Sequence, residues 1–369
     1  MTQKIVIIGA GIVGASAAYL LSKENVEVTL IDSDEPGQAS RAAAGIICPW
    51  LSKRRNKYWY ELAKNSAAFY EEIAQMLRED TGKETGYKQV GVLALRQTEE
   101  KLETLFKLAK ERRVDAPNMG VIEKLTEAET KKKFPLVKSG FGSIYVSGAA
   151  RVNGSLFCQT LLVAAKERGV KILAGKAAFS ATGEVLIHGK KENYDKLIIA
   201  TGAWLASFLQ DAGYKTEVLA QKGQLLELDF GSVNTADWPV ILPPSAKSIV
   251  PFEDGKVIVG ATHEKTAGFN IEPTAEGQAE ILEEVTKFME DVSNEKIANV
   301  TVGTRPYTPD FAPLIGSLPG FDSVVLANGL GASGLTTGPY VAKLLVELAL
   351  DLPSELPLEN YSPSKYISK

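Results

Sequence analysis

Three glycine-rich segments carry residue types and spacings that could do chemistry. Gly9-Ala10-Gly11-Ile12-Val13-Gly14 has the spacing GxGxxG. In such a loop the first glycine permits a tight turn, the second lets a pyrophosphate approach the backbone, and the third allows close packing of helix on strand. Asp32 follows Gly14 by 18 residues, at the end of the next apolar run, where a carboxylate accepts ribose hydroxyls. An acid there disfavours a 2′-phosphate, which leaves NAD or FAD rather than NADP. The segment Gly37-Gln38-Ala39-Ser40-Arg41-Ala42-Ala43-Ala44-Gly45-Ile46-Ile47 is built mostly of very small residues, so its backbone can come close to something large and flat. Thr201-Gly202-Ala203-Trp204 and Asn328-Gly329-Leu330-Gly331-Ala332-Ser333-Gly334 are two further glycine-rich strand ends. Close-approach loops converging at one sheet edge suit a long dinucleotide lying extended, which favours FAD and leaves an NAD dehydrogenase as the alternative.

The supply of other reactive groups is small. Only Cys48, Cys158, His188 and His263 are present, too few and too scattered for a Cys/His zinc cluster. Cys158 is expected in the core and His188 at the surface. The basic stretch Lys53 to Lys57 is expected to be a solvated loop, with the entrance of the site as the alternative.

The elements that must position these loops follow from periodicity. Ile5-Val6-Ile7-Ile8 is a continuous apolar run ending at Gly9, the pattern of a parallel strand buried on both faces. A helix over Gly11 to Ser22 and a strand over Val26 to Ile31 complete a βαβ unit. Helices are predicted for Tyr58 to Leu77, Lys101 to Arg113, Gly154 to Arg168, Thr274 to Met289 and Val341 to Leu350. Strands are predicted for 91–95, 170–173, 197–200, 221–229, 256–261 and 324–327. The nucleotide-type strands occur at the start, middle and end of the chain. The expected architecture is therefore α/β: a discontinuous Rossmann-like FAD-binding domain with a parallel sheet (1–50, 145–218 and 300–369) and a second α+β substrate-binding domain on an antiparallel sheet (51–144 and 219–299).

Composition is that of an ordinary globular chain, with 369 residues, 45% hydrophobic and 23% charged, and a formal net charge of −4. The mild acidic balance argues against nucleic acid as a partner, because phosphate binders cluster Lys and Arg. No apolar run approaches the roughly 20 residues of a membrane span, and the N-terminal run is too short for a signal sequence, so a cytoplasmic location without an integral membrane segment is expected. Homo-oligomerisation is left open.

Taken together, GAGIVG, SRAAAGII, TGAW, VGATH, GTRPYTPDFAPLIG and NGLGASGLTTG, in this order, resemble the D-amino-acid oxidase superfamily, and most closely its glycine oxidase and sarcosine oxidase branch. The resemblance runs nearly end to end. It implies FAD at the domain interface and oxidation of a C–N bond in an amino acid or amine, by hydride transfer to flavin N5. Dioxygen is the implied acceptor, giving hydrogen peroxide. A dehydrogenase passing electrons to a quinone or carrier, and a non-catalytic flavin-binding protein, are the alternatives.

Carried over by residue, the resemblance places dinucleotide contacts at Gly9, Gly11, Ile12, Val13, Gly14, Asp32 and Ser33. Pyrophosphate and flavin contacts fall on Ala39, Ser40, Ala44, Gly45 and Ile46, and backbone contacts on Ala178 and Gly202. The loop Leu330, Gly331, Ala332, Ser333, Gly334, Leu335 and Thr336 closes on the ring, followed by a helix beginning near Gly338 whose dipole faces it. Arg305 corresponds to the arginine that forks onto a substrate carboxylate, and His263 to a position over the substrate side of the flavin. The segment that carries the flavin-linking cysteine in sarcosine oxidases, Gly303 to Asp310 here, has no cysteine, so FAD is expected to be noncovalent despite Cys48 near Gly45. Two departures bear on the substrate: the pocket tyrosine of glycine oxidases corresponds to Ser248, and their second pocket arginine to Ala332.

Overall fold

The computed structural model describes residues 2–52, 54 and 56–369. Lys53 and Arg55, and with them part of the basic stretch, lie outside the described residues. The strand Gln3–Ile8 lies in the middle of a six-stranded sheet, between Val26–Asp32 and Lys196–Ile199. Lys171–Ala174 extends one side, and Phe321–Asn328 then Leu314–Leu318 extend the other. All neighbours are parallel except the last pair, which is a hairpin. This is why Ile5, Ile7, Ile198 and Val325 are buried on one face and Val6, Ile8, Leu197 and Leu326 on the other. A strand covered on both sides needs apolar residues at every position rather than at alternate ones.

The first helix, Ile12–Leu21, starts where the sequence places it. Gly9 sits at φ +103°, and a Cβ on Gly14 would stand 1.8 Å from the Gly9 carbonyl oxygen. Any side chain at 14 would push the helix off its strand. Against this helix pack Gly154–Glu167 and Gly334–Ala349, and the 25-residue helix Lys57–Thr81 lies over the last of these.

Three helix boundaries differ from expectation. The helix predicted to end at Leu77 runs on to Thr81. The C-terminal helix begins at Gly334 rather than near Gly338, with Pro339 inside it. Proline there removes the amide that would bond the Leu335 carbonyl, and the Tyr70 hydroxyl donates to that carbonyl at 2.5 Å instead. A tertiary contact thus repairs the break that proline signals locally. The helix expected to reach Met289 ends at Val285.

The second large sheet has eight strands, in the order Ile297–Tyr307, Leu219–Asp229, Lys256–Gly260, Ser248–Pro251, Val240–Leu242, Val92–Arg96, Gly142–Val146 and Ile122–Leu125. It is antiparallel except between Val240–Leu242 and Val92–Arg96. One face carries a separate core of Leu93, Leu226, Ile249, Val257 and Val259, closed by Ile281 and Val285 of the helix Ala275–Val285. Among the described residues no helix is long and apolar enough to cross a membrane.

Candidate active site

A cleft of about 720 Å³ runs from the ends of the parallel strands to the edge of the antiparallel sheet, within the usual range for a cofactor site. The three glycine-rich loops meet there. Gly9, Gly11, Ile12 and Val13 line it at one end with Asp32 and Ser33, and Ala178 and Gly202 close its sides. Ala39, Ser40, Ala44 and Ile46 form its floor together with Leu330, Gly331, Ala332, Gly334 and Leu335.

Asp32 is held firmly at the mouth. Its Oδ2 accepts from the Ala10 amide at 2.6 Å, and Oδ1 accepts from the Asp34 amide at 2.6 Å and the Gln38 amide group at 3.1 Å. Ser40 Oγ accepts from the Ile12 amide at 2.9 Å, capping the first turn where Gly11 has no side chain to do so. The run of small residues has a packing reason as well as a cofactor one: a Cβ on Gly303 would lie 2.5 Å from that of Ala42. The Thr304 amide also donates to the Gly37 carbonyl at 2.9 Å. Four predicted residues stand back from the cleft wall. Gly14 packs helix on strand, Gly45 lies against Val152, and Thr336 donates from its hydroxyl to the Ile46 carbonyl. Ser333 turns to the outer side of its loop, where Trp59 donates to its hydroxyl at 2.7 Å.

Arg305 enters the cleft from the strand Ile297–Tyr307, opposite Gln221. Its Nη1 donates to the Thr262 carbonyl at 2.9 Å, to Gln221 Oε1 at 3.3 Å and toward His263 Nδ1 at 3.3 Å. Among the described residues Nε and Nη2 have no protein partner. One edge of the guanidinium is therefore fixed and another is left for an anion. Burial lowers the pKa of Arg305 and the nearby Glu264 carboxylate raises it. Burial pushes the Glu264 carboxyl up, but hydrogen bonds from Thr262 and Gln224 and the charge of the fully buried Lys222 bring it below the usual range.

His263 faces the same space. Desolvation and the Arg305 charge bring its pKa down to about 4, so the ring is neutral near pH 7. Nδ1 lies 3.2 Å from Gln221 Oε1, which only accepts, and 3.3 Å from Arg305 Nη1, which only donates, so the two contacts call for opposite tautomers of the neutral ring. Cys48 lies just beyond the strand Ile46–Ile47, and burial pushes its thiol up to about 12, which keeps it protonated. Cys158 is buried, and His188 is exposed with its ring on the Ala174 carbonyl.

Sequence reasoning missed Gln221, Thr262, Glu264 and Gly223, which surround Arg305, and Arg54 and Trp59, which meet Ser333. Gly223 left a signal as a glycine in the interior of a predicted strand, Arg54 as part of the basic stretch Lys53 to Lys57, and Thr262 as part of the VGATH segment.

The cradle, the fixed carboxylate of Asp32 and the small-residue floor fit an extended dinucleotide. Comparison with known proteins agrees. The model of the family described as FAD dependent oxidoreductase, DAO, matches residues 4–348. The uncharacterized oxidoreductase YurR of Bacillus subtilis (strain 168) is 42% identical over 98% of this chain and 99% of its own. Glycine oxidase of Pseudomonas aeruginosa is 27% identical over 94% and 95%. The crystal structure of iminodiacetate oxidase from Chelativorans sp. BNC1 superposes with a TM-score of 0.93 at 36% identity, covering 97% of this chain and 98% of that one.

Proposed function

The chain belongs to the DAO family of FAD-dependent oxidoreductases, and on that premise we propose that it oxidises the C–N bond of an amino acid or secondary amine bound through its carboxylate to Arg305. Hydride leaves the carbon beside the nitrogen, and the resulting imine takes up water to give the oxo compound and ammonia or an amine. Dioxygen takes the electron pair and two protons to become hydrogen peroxide. FAD, when bound noncovalently, supplies the two-electron acceptor for this exchange. Gly9 to Val13, Asp32, Ser40 and the loop around Leu330 would hold it.

The observation that carries this reading is that Nε and Nη2 of Arg305, which lines the cleft, have no partner among the described residues. A carboxylate on those two atoms has its orientation fixed, and with it the position of the neighbouring C–H. The neutral ring of His263 adds no second charge beside the amine. No side-chain base is required if the amine binds unprotonated. The names of two relatives, a glycine oxidase and an iminodiacetate oxidase, support amino acids and secondary amines as the class to test.

The test is anaerobic. Amines and amino acids are mixed with the purified holoenzyme while the visible flavin absorbance is followed, and air is then admitted with peroxide measured. Bleaching by a carboxylate-bearing amine and stoichiometric peroxide are expected. No bleaching by any amine would overturn the reading, and bleaching that is reversed by a quinone or dye but only slowly by air would replace dioxygen as the acceptor.

A further inference from the structure

Gln221 is a buried polar side chain whose strand position is paired with that of Arg305. Its Oε1 lies 3.3 Å from Arg305 Nη1 and 3.2 Å from His263 Nδ1. Arginine has no acceptor, so the carbonyl end of the Gln221 amide is the end that must meet it. That orientation bears on the histidine. With a lone pair on Nδ1, two acceptors would meet at 3.2 Å, and turning the amide over to part them would set its NH2 group against the guanidinium. With a proton on Nδ1, the ring donates to Oε1. The contact of Nδ1 with Nη1 at 3.3 Å then needs no hydrogen from Nη1. That nitrogen carries two, and the Thr262 carbonyl at 2.9 Å and Gln221 Oε1 accept both. Every hydrogen in the cluster has an acceptor in this arrangement, and no two lone pairs face each other.

We propose that Gln221 is a positioning residue that holds His263 as its Nδ1–H tautomer, leaving Nε2 to accept an N–H of the substrate amine while Arg305 holds the carboxylate. The inference rests on the amine oxidation proposed above and narrows its substrate to amines that keep a hydrogen on nitrogen when unprotonated, primary or secondary and not tertiary. His263 lines the cleft, and its Nε2 has no partner among the described residues. Ring and guanidinium stand side by side, with Nδ1 and Nη1 3.3 Å apart, so one small ligand can touch both. As hydride leaves the carbon, the nitrogen lone pair becomes the second bond of the imine and positive charge grows on the nitrogen. Its N–H becomes a stronger donor, so the bond to Nε2 favours the transition state over the bound amine.

The test compares ligands that differ at one ring atom. Pyrrole-2-carboxylate carries an N–H beside the carbon that bears its carboxylate, as an amino acid does, and thiophene-2-carboxylate carries a sulfur there. Neither offers an amine to oxidise. Their Kd values for the holoenzyme, read from the flavin spectrum, should differ by roughly 3- to 10-fold in favour of the pyrrole, the worth of one hydrogen bond. Gln221→Met and His263→Phe should each abolish this preference, and Gln221→Glu, whose carboxylate also accepts from Nδ1, should keep it. In turnover, kcat for N-methylglycine should fall in Gln221→Met and recover in Gln221→Glu, and N,N-dimethylglycine should be a poor substrate of the wild type. FAD content and melting temperature establish that each variant is folded. A wild-type preference near one, a Gln221→Met variant that weakens both ligands by the same factor, or N,N-dimethylglycine oxidised as well as N-methylglycine would overturn the proposal while leaving the oxidation in place. A Gln221-dependent preference for the pyrrole, in a protein that no amine reduces, would uphold the tautomer and refute the oxidation instead.

Discussion

The guanidinium of Arg305 lies across Gly223 of the neighbouring strand, so that a Cβ at 223 would stand 2.5 Å from Nη2. Gly223 pairs with Gly303, two residues before Arg305, which makes the contact the diagonal one of an antiparallel pair. The glycine is what allows a long cation to lie flat over the sheet with one edge turned to the cleft. Its φ is not in the left-handed region, so alanine there strains no backbone. Gly223→Ala should therefore fold and bind FAD normally but displace the guanidinium, raising KM with a smaller effect on FAD content or melting temperature. Unchanged KM would show that the guanidinium position does not matter.

Arg305→Ala should weaken substrate by about 2–5 kcal/mol, the scale for truncating one partner of a buried, hydrogen-bonded charge pair. Arg305→Lys should recover only part, because an ammonium cannot make two parallel bonds. Steady-state constants and FAD stoichiometry of both variants check this; constants equal to wild type for the alanine variant would remove Arg305 from the site.

His263 titrates near 4 in the folded protein against an ordinary value of 6.5. Between those pH values the unfolded chain binds a proton that the folded chain does not, so stability is complete above about 6.5 and declines as pH falls toward 4. Asp310, held at about 2 by its hydrogen bonds from Lys365 and Tyr366 against the effect of burial, acts below this window. His263→Gln should flatten the dependence of Tm on pH between 4 and 6.5. An identical slope in the variant would contradict the assignment, as would a kinetic pKa near 6.5 that the substitution abolishes.

FAD should be released by acid precipitation, with the yellow colour in the supernatant. The protonated, half-buried thiol of Cys48 is a poor nucleophile, and Gly303 to Asp310 contains no cysteine. Colour retained in the pellet would establish a covalent link.

Glycine should not be the best substrate. Ser248 and Ala332 both line the cleft, and both are small, so space remains beside any ligand on Arg305. Filling it with apolar groups is worth about 0.8 kcal/mol per methylene, and two should shift kcat/KM roughly tenfold. A series from glycine through N-methylglycine and D-alanine to D-proline and longer N-alkyl amino acids measures this, with glycine at the top as the contrary result.

Much of the cofactor cradle was legible in the chain alone, because its determinants are local. Gly9, Gly14 and Asp32 act within a single βαβ unit, where one strand, one turn and one helix settle the geometry, and the apolar runs of the parallel strands state their own burial. The position of Arg305 could be carried over from a resemblance, but its surroundings could not. Gln221 and Gly223 reach it only through the register of two antiparallel strands more than 80 residues apart in the chain, and Thr262 through the turn after the strand Lys256–Gly260, and a register shift of one residue would turn every side chain to the opposite face. Arg54 meets Ser333 across 279 residues, in a stretch whose basic composition reads as a solvated loop. The start of the last helix was hidden for the same reason, since Pro339 marks a break that Tyr70, far away in sequence, makes good. Local sequence determines what can be decided by backbone conformation and burial pattern; which distant side chains complete a charge or a hydrogen bond is decided only when the sheets and helices are packed.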